Sequence, residues 1–508
     1  MANPTTYANK IRCRAFPDNV TGSASYTPIT AYNTDGGHNF DGSQTTAAFG
    51  WRIANGVERW AMGELGNLRQ APVTQGVQTY DILAGLNNST NDSLQIIRQS
   101  RGQGADMYLW SMGVGPYLRF GLKTLNRIAV GFNTTALSPL VNGSTAAYLP
   151  ASPVPVSFGI TTGGSTYTAT ARVYGWPTVT LDSADKSAAF GATSFCYYGG
   201  RGDISAGSYR GGLCDGPNFY SAAVSASDWN DYKGTWAPSR VTLHSLTPSV
   251  IVVHIGTSRT DGFYTFGDDT YVGRLAQRYI ASQIHYNWGW PGVDAATLAT
   301  NVALYTAAIT ALKNNFPSAR IVVIIDCGAN DAGADGRVQG SVPSTSAYDA
   351  SLATLCSGIR AVTNCRLLKL TSTPFCYPND GSADATALQR QTNLDGFNAK
   401  DRTSRNYDGI LDIARDPAFT LADGTIGTLK AMCGGTGGTG ASNASTYYQT
   451  GSNTAATIAA TNYDGIHGGQ NWHAKVDTFI SGNPTFNEFT SPPNGRFGRF
   501  NRFSRFNV

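Results

Sequence analysis

The run Arg320-Ile-Val-Val-Ile-Ile-Asp326 sets five β-branched apolar residues in succession, without the apolar–polar alternation of a half-exposed strand. A strand of that kind is buried on both faces, as in a parallel sheet covered by helices on each side. The neighbouring chain keeps the same rhythm. Ser249–Ile255, Arg366–Leu370 and Gly409–Ile413 read as further strands. Thr270–Ile284, Asn301–Phe316, Tyr348–Val362, Ala387–Ser404 and Gln470–Ile480 carry apolar residues at helical spacing. Strands alternating with helices of this length predict an α/β fold with a doubly wound parallel sheet over residues 246–482.

The chain before residue 245 differs. Short β-branched or alternating runs, such as Val154–Gly159, Tyr167–Val173 and Thr178–Leu181, are punctuated by Gly, Ser, Thr, Asn and Pro. They predict a β-rich, antiparallel domain over 90–245. Residues 1–89 read as an arm without an assigned fold, in which Val57–Leu68 has the spacing of one helix. Residues 483–508 read as a tail. The 508 residues exceed what one core usually absorbs, which agrees with several domains. Only 3 Glu and 9 Lys stand against 30 Asp and 28 Arg. Glu and Lys populate the exposed faces of long helices, so their scarcity fits a strand-rich and loop-rich chain.

Charge and cysteine content narrow the function classes. The formal net charge is +4, and the repeat Arg496-Phe-Gly-Arg499-Phe-Asn-Arg502-Phe-Ser-Arg505-Phe accounts for all of it. A balanced body with four terminal arginines argues against nucleic acid as a partner. In an extended chain of three-residue period, the tail would carry a phenylalanine ridge and an arginine ridge, suited to docking on another protein. No apolar run approaches the ~18 residues of a membrane span, and Met-Ala-Asn-Pro-Thr-Thr lacks the order of a signal peptide. None of the eight cysteines forms a C-x-x-C pair, and neither metal nor cofactor is implied. Disulfides such as Cys196–Cys214 or Cys356–Cys365 remain open.

In open α/β sheets the ligand site lies outside the carboxyl ends of the strands. Four turns there carry polar or glycine-rich sequence: Gly256-Thr257-Ser258, Asn287-Trp288-Gly289-Trp290-Pro-Gly292, Gly328-Ala-Asn330-Asp331 and Asp464-Gly-Ile-His467. They supply a hydroxyl, a small backbone donor, a side-chain amide and an Asp/His pair. Those are the parts of acyl transfer. A serine attacks once an imidazole takes its proton, a carboxylate orients the imidazole, and N–H donors hold the oxyanion.

These blocks, in this order and context, resemble the SGNH (GDSL-type) hydrolases, a family of esterases, lipases and polysaccharide deacetylases. The resemblance covers about residues 247–480. It implies a flavodoxin-like fold with Ser258 as nucleophile, Asp464 and His467 completing a triad, and Ser258, Gly292 and Asn330 forming the oxyanion hole. Thr257 stands where the family usually has Asp, and a Gly/Thr/Asn/Ser-rich insertion, Thr420–Thr461, precedes Asp464. Trp288 and Trp290 are candidates for a platform on which a sugar ring stacks. The expected function is a serine esterase, foremost one removing acetyl groups from a polysaccharide. The alternatives are a glycan-binding or structural virion component that keeps the fold without catalysis, and a lipase or thioesterase. The expected partners are an acylated polysaccharide and other virion or assembly proteins, met through the N-terminal region or the 496–508 tail. A homo-oligomer is compatible with this reading, and so is an extracellular or virion-surface location such as a phage tail fibre.

Overall fold

Side chains of the strand β1 (Val250–Gly256) alternate between two cores. Val250 and Val252 face one apolar layer, while Ile251, Val253 and Ile255 face another. Full burial of each such side chain contributes about 1.5–3 kcal/mol, which fixes the strand as a two-sided interior element. The computed structural model describes residues 118–132, 136–163, 166–183, 226–262, 270–333, 339–362, 364–373, 385–416, 463–468 and 470–491, with separate strands elsewhere between 11 and 220 and at 448–450.

From β1 the chain makes a four-residue helix α1 (Ser258–Asp261), then α2 (Tyr271–Arg278) and β2 (Gln283–Gly289). Next come α3 (Ala295–Thr300), α4 (Val302–Asn315), β3 (Arg320–Asp326), α5 (Thr345–Val362), β4 (Arg366–Leu370), α6 (Ala385–Thr403) and β5 (Gly409–Leu411). The element order closes with β6 (Tyr463–Gly468), α7 (Gln470–Gly482) and α8 (Pro484–Thr490). Strands β2-β1-β3-β4-β5 form one sheet, parallel throughout. That is the doubly wound order 2-1-3-4-5, with its switch point beside β1. Side chains of α3, α4, α5 and α6 join the core on one face, and those of α2, α7 and α8 join the core on the other.

Two helical expectations change. The helix expected over Thr270–Ile284 stops at Arg278, because Gln283 already pairs with Val250 as the first residue of β2. The residues after 482 are not all tail: Asn483 caps α8 with Pro484 at its first turn, and Phe486 is buried in the second core. Asn followed by Pro is a helix-start signal that the sequence already carried. The Arg-Phe repeat lies outside the described residues.

Among the described residues the β-rich region holds two large antiparallel sheets and a two-stranded ribbon, Thr74–Gln75 with Gln78–Thr79, and strands on both sides of residue 89 share the two large sheets. Phe49–Ala54 and Val57–Met62 pair with each other and join the sheet of Asn91–Arg98 and Val154–Gly163 through Gly212–Tyr220. Leu68–Gln70 likewise pairs with Cys196–Tyr198. The described strands within 1–89 thus belong to these sheets rather than to a separate arm, and Val57–Met62 is a strand where part of a helix was expected. Its apolar spacing suits a helix and a strand alike, and strand pairing decides. The overlooked signal is Asn55-Gly56 between the paired ends Ala54 and Val57, a strong hairpin sequence.

The β-rich and α/β parts share a single apolar core. Tyr148 lies with its ring centroid 5.8 Å from both Trp176 and Trp288, and Trp176 meets Phe316 edge-on at 6.0 Å. The outer edge of β2 is covered as well, since Ala151 donates its N–H to His285 O at 2.8 Å. Cys327, Cys356 and Cys365 are free and buried, so Cys356–Cys365 is not a disulfide. The side chains of Cys196 and Cys214 lie outside the described residues.

Candidate active site

Strand β1 delivers Ser258 to the carboxyl edge of the sheet. Thr257 caps α1, its hydroxyl accepting the Arg259 N–H at 3.3 Å, and Gly262 closes the turn by donating to Ser258 O at 3.0 Å. A short polar side chain is what an N-cap position asks for, and Thr serves there nearly as well as Asp. Helix α1 lies directly on the end of β2. A Cβ on Gly289 would collide with the Asp261 backbone, whose Cα would be 2.6 Å away, so only glycine lets the helix that begins at Ser258 sit this low.

His467, on β6, brings its Nε2 to 3.0 Å from Ser258 Oγ across 209 residues of chain. With the ring proton on Nδ1, Nε2 accepts from the hydroxyl, which is the arrangement a general base needs. Asp464 lies on the same strand, and its side chain lies outside the described residues. So does most of the Thr420–Thr461 insertion, apart from Tyr448–Thr450, which pairs with β6.

Asn330 and Gly292 occupy the two neighbouring loops. Asn330 donates from Nδ2 to Val293 O at 2.7 Å, which leaves that amide its second hydrogen. Gly292 has φ +79° and open space where a side chain would be. Asp331 braces the pair, since its carboxylate accepts the Ala295 N–H at the start of α3 (3.0 Å) and the Cys327 thiol (3.3 Å).

Beneath that loop lies a buried ion pair that sequence reasoning missed. Lys369 and Asp401, 0% and 2% exposed at their side chains, meet at 3.1 Å. Lys369 also donates to Cys327 O (3.0 Å) and Leu370 O (2.7 Å), while Asp401 is reached by the hydroxyls of Tyr348 (3.2 Å) and Tyr407 (3.4 Å). Ser372 adds a bond to Cys327 O at 3.1 Å. Burial pushes the Asp401 carboxyl up to about 6, opposed by Lys369. These donors fix the turn at Gly328, whose φ of 124° suits glycine alone, and the turn presents Asn330. Two charged residues 32 positions apart carry no motif, so no signal in one sequence would have paired them.

The two tryptophans separate. Trp290 is half-buried, and its backbone N–H donates to Gly256 O at 2.8 Å, at the end of β1. Trp288 is 0% exposed, wedged between Tyr148 and Tyr286. It has no face to offer a sugar and serves to join the two parts of the molecule. Among the described residues no cluster of three metal-ligating side chains occurs, and no helix is long and apolar enough to cross a membrane.

No protein-family model matches the chain, and no curated protein does. Solved structures show low-scoring likenesses. Trypanosoma rangeli sialidase aligns at 12% identity and TM-score 0.34, over 45% of this chain and 33% of its own. An alpha/beta hydrolase enzyme from the metagenome of Lake Arreo aligns at 14% and 0.30, over 48% and 98%. An acetylxylan esterase from Geobacillus stearothermophilus aligns at 14% and 0.29, over 46% and 93%. The chain thus spans a third of the sialidase and nearly all of the two smaller enzymes. Likenesses at these scores assign neither a reaction nor a residue to this chain.

Proposed function

We propose that the protein is a serine esterase of the SGNH type. The observation that carries this reading is the 3.0 Å approach of His467 Nε2 to Ser258 Oγ at the sheet's carboxyl edge. Ser258 Oγ attacks the ester carbonyl carbon while its proton passes to His467 Nε2. The tetrahedral oxyanion is held by the Ser258 and Gly292 backbone N–H groups and the second Nδ2 hydrogen of Asn330. The C–O bond to the alcohol breaks as His467 returns the proton to the leaving oxygen. Water, activated by His467, then releases the acid from Ser258. Asp464 is assigned to orient the imidazole and to stabilise its cation.

The substrate class proposed is an O-acetylated polysaccharide. Trp290, half-buried beside the nucleophile, is the aromatic face left to meet a sugar ring once Trp288 is set aside. Thr257 supports catalysis over a degenerate site, because it performs the capping its position requires.

The test is hydrolysis of p-nitrophenyl acetate by the wild type and by Ser258→Ala, matched for folding by circular dichroism. The expected loss in kcat/KM is about 10³-fold or more. Release of acetate from acetylated glycans then tests the substrate class. Equal rates in the two proteins, or no turnover by either, would overturn the esterase reading.

A further inference from the structure

The site described above has a support that belongs to the β-rich part of the chain. Strands Leu118–Lys123 and Arg127–Phe132 form a hairpin with Lys123 opposite Arg127, so its loop is Thr124-Leu125-Asn126. Leu125 (φ 65°) and Asn126 (φ 60°) both occupy the left-handed region, and they are the two non-glycine residues with positive φ among those described. Asn enters that region readily, whereas Leu does so at a cost of roughly 1 kcal/mol. Both are fully buried. Strain of this kind persists where the surroundings over-determine it.

What holds the loop is the strand that carries the proposed oxyanion turn. Asn126 donates from Nδ2 to Asn287 O at 3.1 Å, on the same outer edge of β2 that Ala151 meets at His285. Its own carbonyl accepts the Leu149 N–H at 3.0 Å. The Asn287 side chain continues the path in two directions: Nδ2 donates to Asp261 O at 3.3 Å, and Oδ1 accepts the Gly289 N–H at 3.0 Å. Asp261 is the last residue of α1, whose first is Ser258, and Gly289 opens the turn to Gly292. A left-handed asparagine in the β-rich region is therefore two hydrogen bonds from the nucleophile's helix.

We propose that Asn126 is a positioning residue. It fixes Asn287, and through it the relative placement of Ser258 and the 289–293 turn, so the β-rich region is a working part of the active site. This inference rests on the esterase reading for its kinetic consequence only. A backbone amide and a carboxamide side chain cannot exchange protons usefully here, so Asn126 acts through geometry. Loosening it moves the oxyanion donors relative to Oγ, and misplacement on the order of 1 Å costs about 10²-fold in rate.

The test uses the full-length protein and two variants that keep the left-handed backbone accessible. Asn126→Gly removes the amide, and Asn126→Asp keeps its shape but turns the donor into an acceptor facing Asn287 O. In both, kcat on p-nitrophenyl acetate should fall roughly 10- to 100-fold with KM nearly unchanged. Because Asn126 works through Asn287, adding Asn126→Gly to Asn287→Ala should cost less than twofold more. A separate readout needs no turnover. Hydrogen exchange in peptides covering 256–262 and 287–292 should quicken about tenfold in Asn126→Gly, while the peptide covering 366–370 keeps its protection. Unchanged exchange in those two peptides, or losses that simply multiply in the double variant, would overturn the proposal. If the wild type itself has no turnover, the esterase reading falls, and the exchange experiment alone decides whether Asn126 holds α1 and the turn.

Discussion

Replacing Gly289 by alanine adds a single carbon at the point where α1 rests on β2. That carbon would lie 2.6 Å from Asp261 Cα and 2.7 Å from Thr260 C, with the Asp261 nitrogen closer still, whereas ordinary contact begins near 3.4 Å. All three obstacles are backbone atoms, so no side chain can rotate away. Helix α1 must retreat by roughly 1 Å, or β2 must yield at the cost of its pairing with β1, and overpacking of this sort costs about 1–3 kcal/mol. The retreat carries Ser258 Oγ away from His467 Nε2, which it now meets at 3.0 Å. We expect kcat to fall about 10²-fold while the protein stays folded and loses a few degrees in Tm. The assay is steady-state hydrolysis of p-nitrophenyl acetate beside a calorimetric scan, with the rate of serine labelling by a phosphonate as a second measure. A Gly289→Ala protein with wild-type kcat and labelling rate would show that the close seat of α1 on the sheet does not set the position of Ser258, the proposed nucleophile.

Other consequences follow from the same geometry. Asn330→Ala removes one proposed oxyanion donor and should lower kcat by about 10²–10³ with little change in KM, as steady-state kinetics would read. Lys369→Met leaves the Asp401 carboxylate buried without its cation, and urea unfolding at pH 7.5 should show a loss of about 3–5 kcal/mol. Acid should destabilise the fold well before its carboxylates titrate generally. Burial holds His244 near about 4 and His285 and His473 near about 3, and His254 well below its usual value. The unfolded chain therefore takes up protons below about pH 6.5 that the folded one refuses, and stability is lost as pH falls from there. Each of the three numbered histidines removes roughly 2 kcal/mol between pH 7 and pH 5, while Asp401, raised to about 6, returns about 1 kcal/mol. Half-buried Asp395, also raised to about 6, opposes the loss more weakly because solvent screens it. Buried Asp326, its carboxyl also raised by desolvation, opposes the loss in the same sense. The net expectation is a drop of a few kcal/mol (about 2–4), and equal urea midpoints at pH 7 and pH 5 would contradict it.

Much of the sheet was legible because its signals are local. Arg320–Asp326 and Arg366–Leu370 occupy the predicted residues, and in the first an unbroken β-branched run already reads as a strand buried on both faces. Ser258 was legible at the end of its strand and His467 as a residue type, though the turn expected at 464–467 is strand β6 and nothing in the sequence measures a distance across 209 residues. Two of the failures turn on pairing between strands. Val57–Met62 suits a helix or a strand by spacing, and only its pairing with Phe49–Ala54 decides. Thr270–Ile284 reads as one helix until Gln283 is seen beside Val250.

By itself, then, the sequence determined what depends on neighbours along the chain: strand burial, helix starts, the polar turns and their order. Tertiary structure alone decided what depends on neighbours in space. It put Trp288 into a core shared with Tyr148 rather than under a sugar, joined Lys369 to Asp401 beneath the Asn330 turn, and set Asn126 against the edge of β2. A side chain's period reports which face it takes, whereas its partner depends on how two separately specified surfaces meet, which no single stretch of sequence encodes.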